Sequence, residues 1–208
     1  MQIRKAVFKQ SASSIFGCPK PVLPEFAFIG RSNVGKSSLI NMLCNNNKLA
    51  KISATPGKTQ LINHFLINDA WYLVDLPGYG FAKTGKEKRS TFETIIYDYC
   101  KKRENLICLF VLLDSRLPLQ KIDLEFLLWC GENAIPISLI YTKADKNSKS
   151  ELVRHVKAIE KELLKAWEEL PNSFVSSSEK GTGKEELLEF IDFQMKNAGT
   201  EVSSDEEE

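Results

Sequence analysis

Apolar and polar positions fall into two alternating rhythms along this chain of 208 residues. Short apolar runs of strand length recur at residues 25–29, 61–67, 71–75, 106–114, 137–141 and 173–176. Between them, residues 36–44, 85–103, 119–133, 148–170 and 183–197 place apolar side chains at helical spacing. Strands alternating with helices predict an α/β fold, a mostly parallel six-stranded sheet with helices on both faces in three layers. Asn68-Asp69 separates two strand-like runs and reads as a hairpin turn, so one strand should run antiparallel. Capping-box spacing at Thr84…Glu87, Ser148…Glu151 and Thr182…Glu185 marks three helix starts. Residues 1–24 carry Arg4, Lys5, Lys9 and Lys20 and end in three prolines. They read as a basic lead-in with room for one short edge strand, part of the same domain as residues 25–198.

An apolar content of 43% supports a sizeable core and one domain. The longest unbroken apolar run, residues 106–113, suits a buried strand and is too short to span a bilayer. The N-terminus lacks a signal-type apolar core. Neither membrane insertion nor secretion is expected. Five cysteines (Cys18, Cys44, Cys100, Cys108, Cys130) are scattered and never paired as C-x-x-C, which points to free thiols in a reducing cytoplasm. The net charge of +1 hides an asymmetry: five acids and no base lie in residues 199–208, leaving 28 − 22 = +6 for the rest. That acidic tail reads as disordered and solvated.

The chemistry is concentrated at the ends of the predicted strands. Gly30-Arg31-Ser32-Asn33-Val34-Gly35-Lys36-Ser37 follows the first strand run and opens the first helix run, with Ser38 next. This G-x-x-x-x-G-K-S loop lets backbone N–H groups curl around a polyphosphate at a positive helix end. Lys36 would bridge the β- and γ-phosphates and the Ser37 hydroxyl would ligate Mg²⁺. Asp75-Leu76-Pro77-Gly78 closes another strand; Asp75 can hold Mg²⁺ through water, and the Gly78 N–H can reach a γ-phosphate. Thr142-Lys143-Ala144-Asp145 closes a third. A carboxylate at Asp145 accepts from guanine N1–H and N2–H₂ together and repels adenine, whose N1 is an acceptor. The Lys143 stem can lie over the base, and the loop at Ser176, Ser177, Ser178 and Glu179 could reach the guanine O6. Gly57-Lys58-Thr59-Gln60, in the loop begun by Thr55-Pro56, offers Thr59 as a second hydroxyl ligand for Mg²⁺, with Thr55 the weaker candidate.

The order GRSNVGKS, TPGKTQ, DLPGYG, TKAD, SSE is that of the five boxes of a translation-factor-type GTPase. Its wording resembles the EngB (YsxC/YihA) family of bacterial ribosome-biogenesis GTPases over roughly residues 1–197. The resemblance implies a P-loop GTPase fold and a Mg²⁺-dependent GTPase switch needed to assemble the large ribosomal subunit, with a link to cell division and septation. It also implies a cytoplasmic monomer. On these residues it places phosphates at Gly30 to Ser37, Mg²⁺ at Ser37 and Thr59, γ-phosphate sensing at Asp75 and Gly78, and guanine at Thr142, Lys143, Asp145, Ser177 and Ser178. Lys36, Thr59 and Gly78 are the candidate catalytic groups.

Two departures from commoner GTPase wording matter. Thr142 stands where many GTPases carry Asn, though TKAD is this family's usual form. Tyr79 follows Gly78 where many place a water-orienting Gln, so slow intrinsic hydrolysis is expected. Asn33 corresponds to a residue that helps hold K⁺ in related GTPases with the NVGKS wording, against the alternative that it serves the loop's own turn. Neither His64, in a strand run, nor His155, on a helix run, reads as a catalytic base. Lys83, Lys86, Lys88, Arg89, Lys101, Lys102 and Arg103 form a basic stretch suited to rRNA phosphates, and the N-terminal basic segment is a second candidate. Two other classes stay open: a phosphotransferase acting on a small metabolite, and a non-hydrolysing, GTP-bound interaction protein at the division site.

Overall fold

Among the described residues, seven strands form one sheet in the order β1-β3-β4-β2-β5-β6-β7. They are β1 (Ala6–Ala12), β2 (Glu25–Gly30), β3 (Ile62–Ile67), β4 (Trp71–Asp75), β5 (Leu106–Asp114), β6 (Ile137–Thr142) and β7 (Ser173–Val175). The helices are α1 (Lys36–Leu43), α2 (Lys86–Lys102), α3 (Lys121–Glu132), α4 (Lys149–Leu163) and α5 (Lys184–Glu201). This computed structural model describes residues 1–51, 61–79 and 86–201, with backbone alone for 86–93 and 199–201. The loop holding Thr55, Gly57, Lys58, Thr59 and Gln60, and Thr84 of the expected capping box, lie outside the described residues.

The sheet's two faces follow from period-two patterning. In β5, Leu109, Val111 and Leu113 join one core while Cys108, Phe110 and Leu112 join the other. In β2, Ala27 and Ile29 oppose Phe26 and Phe28 in the same way. Leu39, Ile40 and Leu43 of α1 and Leu187, Leu188 and Ile191 of α5 cover one face. Ile96 and Tyr99 of α2, Phe126 and Leu127 of α3, and Ile159 and Leu163 of α4 cover the other. Strands buried on both sides read as continuous apolar runs because helices wrap both faces of a parallel sheet.

The seventh strand comes from the basic lead-in. β1 pairs antiparallel with β3, with a register shift between Phe8 and Gln10. β3 is also antiparallel to β4, so among the described strands it is the one running against the others. The hairpin is where Asn68-Asp69 predicts it. Both have positive φ (50° and 57°), and Ala70 N–H donates to the Ile67 carbonyl at 2.9 Å. That is the handedness a twisted hairpin demands.

Several element ends differ from expectation. α4 stops at Leu163 rather than at 170, and the following turn brings the Trp167 indole against Gly131 of α3. A Cβ at Gly131 would sit 3.1 Å from the indole nitrogen, so the helix gives way to that packing. Ser148 and Glu151 form the expected capping box. Thr182 does not cap α5: it bridges Ser177, and Gly183, at φ 80°, precedes the first helical residue. α5 also runs to Glu201, three residues into the acidic tail. Arg103, expected in the basic stretch suited to rRNA phosphates, is buried against Glu25 at 2.5 Å. The basic stretch therefore loses Arg103 as an RNA contact; the side chains of Lys86, Lys88 and Arg89, and all of Lys83, fall outside what is described. His64 is buried in β3 beside Glu25, and the His155 ring meets the Ser115 carbonyl at 2.9 Å, so both histidines serve the scaffold.

Candidate functional site

The phosphate loop is built by backbone constraint. At Gly30, where β2 ends, a Cβ would lie 2.9 Å from both the Leu112 carbonyl and the Val34 side chain, leaving room only for hydrogen. Asn33 (φ 62°) and Gly35 (φ 106°) turn the chain through the left-handed region. The Leu39 N–H then donates to the Gly35 carbonyl at 2.9 Å and α1 begins. Ser37 and Ser38 lie half-buried in its first turn, with Ser38 on a pocket wall. The Asn33 carbonyl accepts from Lys143 Nζ at 2.6 Å.

Lys36 and Asp75, more than a full strand apart in sequence, meet in a buried ion pair. Burial pushes the Lys36 ammonium down, to about 7. The Leu76 N–H donates to the Phe28 carbonyl at 3.0 Å, extending the β2–β4 pairing past the strand end. Pro77 and Gly78 are buried there, and a Cβ on Gly78 would lie 2.8 Å from the Gly30 carbonyl. So the glycine expected to sense a γ-phosphate is pressed directly onto the phosphate loop.

The third strand end is stitched to the same loop. Thr142 is buried, and its hydroxyl donates to the Val34 carbonyl at 2.6 Å. Thr142 thus ties the two loops rather than reaching outward. Lys143, at φ 58°, lays its stem near Gly35 and places Nζ 2.9 Å from Asp114 Oδ2. The Ala144 N–H donates to the Ser176 carbonyl at 3.1 Å, bringing the last loop alongside. Asp145 accepts from the Ser177 hydroxyl at 2.6 Å and pairs with Lys146 at 3.0 Å. Those contacts, the Ser177 hydrogen bond first, hold its carboxyl down at about 2. Ser177 itself is fixed by paired backbone bonds with Thr182 and by the Lys180 N–H at 3.1 Å.

These loops surround a pocket of about 740 Å³ that Gly35, Ser38, Thr142, Lys143, Asp145 and Ser178 help to line. That size accommodates a nucleotide-sized ligand. Asn41, Asn45, Lys146 and Lys184 also line it, and none was singled out from the sequence. Asp114 was missed as well, although a strand-ending Asp at the carboxyl edge of a parallel sheet is itself a signal.

Tyr79 has a different fate from the one its sequence position suggests. It is 7% exposed, stacks on Phe126 of α3 at 4.7 Å, and donates its hydroxyl hydrogen to Asp123 Oδ1 at 2.9 Å. Burial, then the Asp123 charge, raises its phenol well above the ordinary value. Arg31 of the phosphate loop reaches the same carboxylate at 3.1 Å.

Residues 25–143 match the family model described as 50S ribosome-binding GTPase. The chain is 59% identical to the "Probable GTP-binding protein EngB" of Porphyromonas gingivalis over 192 residues, 92% of this chain and 96% of that protein. It is 56% identical to the Flavobacterium psychrophilum protein of the same name over 193 residues, 92% and 94% of the two chains. Among solved structures, a probable GTP-binding protein EngB superposes with a TM-score of 0.62 at 24% identity, covering 83% of this chain and 99% of that one. A variant of Era from Aquifex aeolicus, bound to GDP·AlF₄⁻, superposes with a TM-score of 0.62 at 23% identity, over 81% and 56%. These two structural likenesses concern the fold.

Proposed function

The chain belongs to the EngB family of GTP-binding proteins, a family of P-loop GTPases, and from that premise we propose that it is a Mg²⁺-dependent GTP switch in assembly of the large ribosomal subunit. Carrying this reading is Asp145, held ionised by Ser177 and Lys146 on the wall of a pocket that runs to the phosphate loop. An acceptor-only group there suits guanine's two adjacent donors and repels adenine.

On this reading the phosphates of GTP lie along Gly30 to Ser37, and Lys36 exchanges its Asp75 partner for them. Among the described residues no three His, Cys, Asp or Glu side chains gather to hold a metal. Mg²⁺ would then rest on the Ser37 and Thr59 hydroxyls, with Asp75 acting through water and the phosphates supplying the remaining oxygens; hard oxygen donors suit it. The ion supplies charge neutralisation on the β- and γ-phosphates. Hydrolysis needs a water aligned opposite the leaving oxygen. Tyr79 is committed to Asp123 and cannot orient it, so turnover is slow until a ribosomal partner, or K⁺ near Asn33, completes the site. The switch works in the cytoplasm as a monomer, with a link to cell division and septation carried over from the family resemblance.

The test is hydrolysis of GTP and of ATP, with and without large ribosomal subunits, in potassium and in sodium buffer. GTP alone should turn over, slowly, and faster with subunits. Turnover indifferent to subunits would favour a phosphotransferase, and none in any condition a purely structural binder. Asp145→Asn should weaken GTP roughly a hundredfold and favour xanthine nucleotides, whose C2 carbonyl accepts from the new amide. Retained GTP preference in that variant would sink the base-reading role.

A further inference from the structure

Asp123 lies in the first turn of α3, far in sequence from every nucleotide motif, yet it holds two of them. It is 2% exposed. Oδ1 accepts from the Tyr79 hydroxyl at 2.9 Å and from Arg31 Nε at 3.1 Å, and Oδ2 accepts from the Gln120 N–H at 3.3 Å. The last bond is half of a capping box and would satisfy an ordinary helix start. The first two have no bearing on α3. They join residue 31, inside the phosphate loop, to residue 79, next to Gly78.

The same two residues are also joined by backbone, since Arg31 and Tyr79 form a parallel bridge that continues the β2–β4 pairing. The Gly78 peptide is therefore fenced in on two sides. Below it, the Gly30 carbonyl lies where a Cβ would reach 2.8 Å. Beyond it, Tyr79 is pinned by the bridge, by Asp123 and by the stack on Phe126 at 4.7 Å. That stack continues through Trp129 to Tyr97 of α2, with ring separations of 6.0 and 4.3 Å.

We propose that Asp123 is a positioning residue for γ-phosphate recognition: through Tyr79 and Arg31 it fixes where the Gly78 N–H points. Burying a carboxylate is costly, and burial does raise this one above the ordinary Asp value. A simple cap could stay at the surface. A buried carboxylate bridging two loops gains a single fixed geometry, which a backbone donor aimed at one phosphate requires. GDP has no γ-phosphate, so losing this geometry should weaken GDP far less than a ligand that carries one.

This inference rests on the assignment of Gly78 to the γ-phosphate, and the experiment separates the two. Affinities for GDP and for a non-hydrolysable GTP analogue are measured by titration on the full chain and on Asp123→Asn, Tyr79→Phe, the double variant and Gly78→Ala. Urea midpoints report folding. Asp123→Asn should weaken the analogue about tenfold and GDP less than twofold. Tyr79→Phe, which keeps the ring stack, should do the same to a smaller degree. The double variant should lose no more than Asp123→Asn alone, because both act through one bond. An unchanged analogue-to-GDP ratio in both single variants, whatever their stability, overturns the role of Asp123. An unchanged ratio in Gly78→Ala overturns the glycine's assignment instead.

Discussion

Glu25 begins β2 at the pole of the sheet opposite the nucleotide loops and is wholly buried. Burial alone would raise its carboxyl, but bonds from Arg103 at 2.5 and 2.9 Å and from Tyr99 at 2.6 Å, with His64 beside it, outweigh that and hold it at about 2 against an ordinary 4.5. A carboxyl depressed on folding contributes stability that is complete above the unfolded value and is lost as pH falls through the folded one. Glu25 should therefore contribute about 3 kcal/mol above pH ~5, declining toward pH ~2. Urea unfolding of wild type and Glu25→Gln across that window should converge at the acid end. Near pH 7 the variant should lose about 3 kcal/mol, because it strands the buried Arg103 charge. An equal loss at every pH would mean that the packing, not the charge, matters. Nothing about Glu25 was legible in the sequence. An acid at the head of an apolar strand gains its meaning only from Arg103, at the far end of α2.

Among the elements, α5 shows how a helix start can serve a loop on the wall of the proposed site. Gly183 adopts φ 80°, and a Cβ there would overlap the Val175 carbonyl at the end of β7. Gly183→Ala should therefore cost about 2 kcal/mol or more through left-handed strain and the clash. It should also weaken guanine-nucleotide binding, since the displaced segment includes Thr182, whose backbone holds Ser177. Differential scanning calorimetry and GDP titration together check this. A lower melting temperature with unchanged GDP affinity would detach the helix start from the site. Most elements were readable because each carries its own rhythm of burial. The ends were less so: the Thr182…Glu185 spacing fits a capping box, yet the Ser177 bridge takes Thr182 away. Likewise α4 looked longer because nothing local announces that Trp167 packs on Gly131. Local propensity sets what a segment can do, and a distant partner settles where it stops.

Taken as a whole, the fold buries four of the five thiols and half-buries the fifth, Cys18. Cys44, Cys100, Cys108 and Cys130 are buried, and burial pushes the first three up to about 12; Cys18 is half-buried and raised to about 11. At pH 8 the native protein should react with a thiol reagent roughly a hundredfold more slowly than it does in urea, where all five thiols are open. Rapid native-state labelling of any cysteine but Cys18 would contradict this burial. Among the described residues, no helix is long and apolar enough to cross a membrane. The nucleotide class and the alternating α/β architecture could be read before any coordinate, because a phosphate loop is contiguous. Its glycines, lysine and serine lie within eight residues, and their backbone geometry is local. Asp145, which we propose reads the base, was legible for the same reason, sitting at the end of a strand that announces itself. The partners chosen across the sheet were not legible: Thr142 tied to Val34, Arg103 withdrawn from the basic stretch, Tyr79 turned into the α3 face and held by Asp123. A polar side chain's role depends on which distant group desolvates and pairs with it, and only the folded chain brings that group within 3 Å.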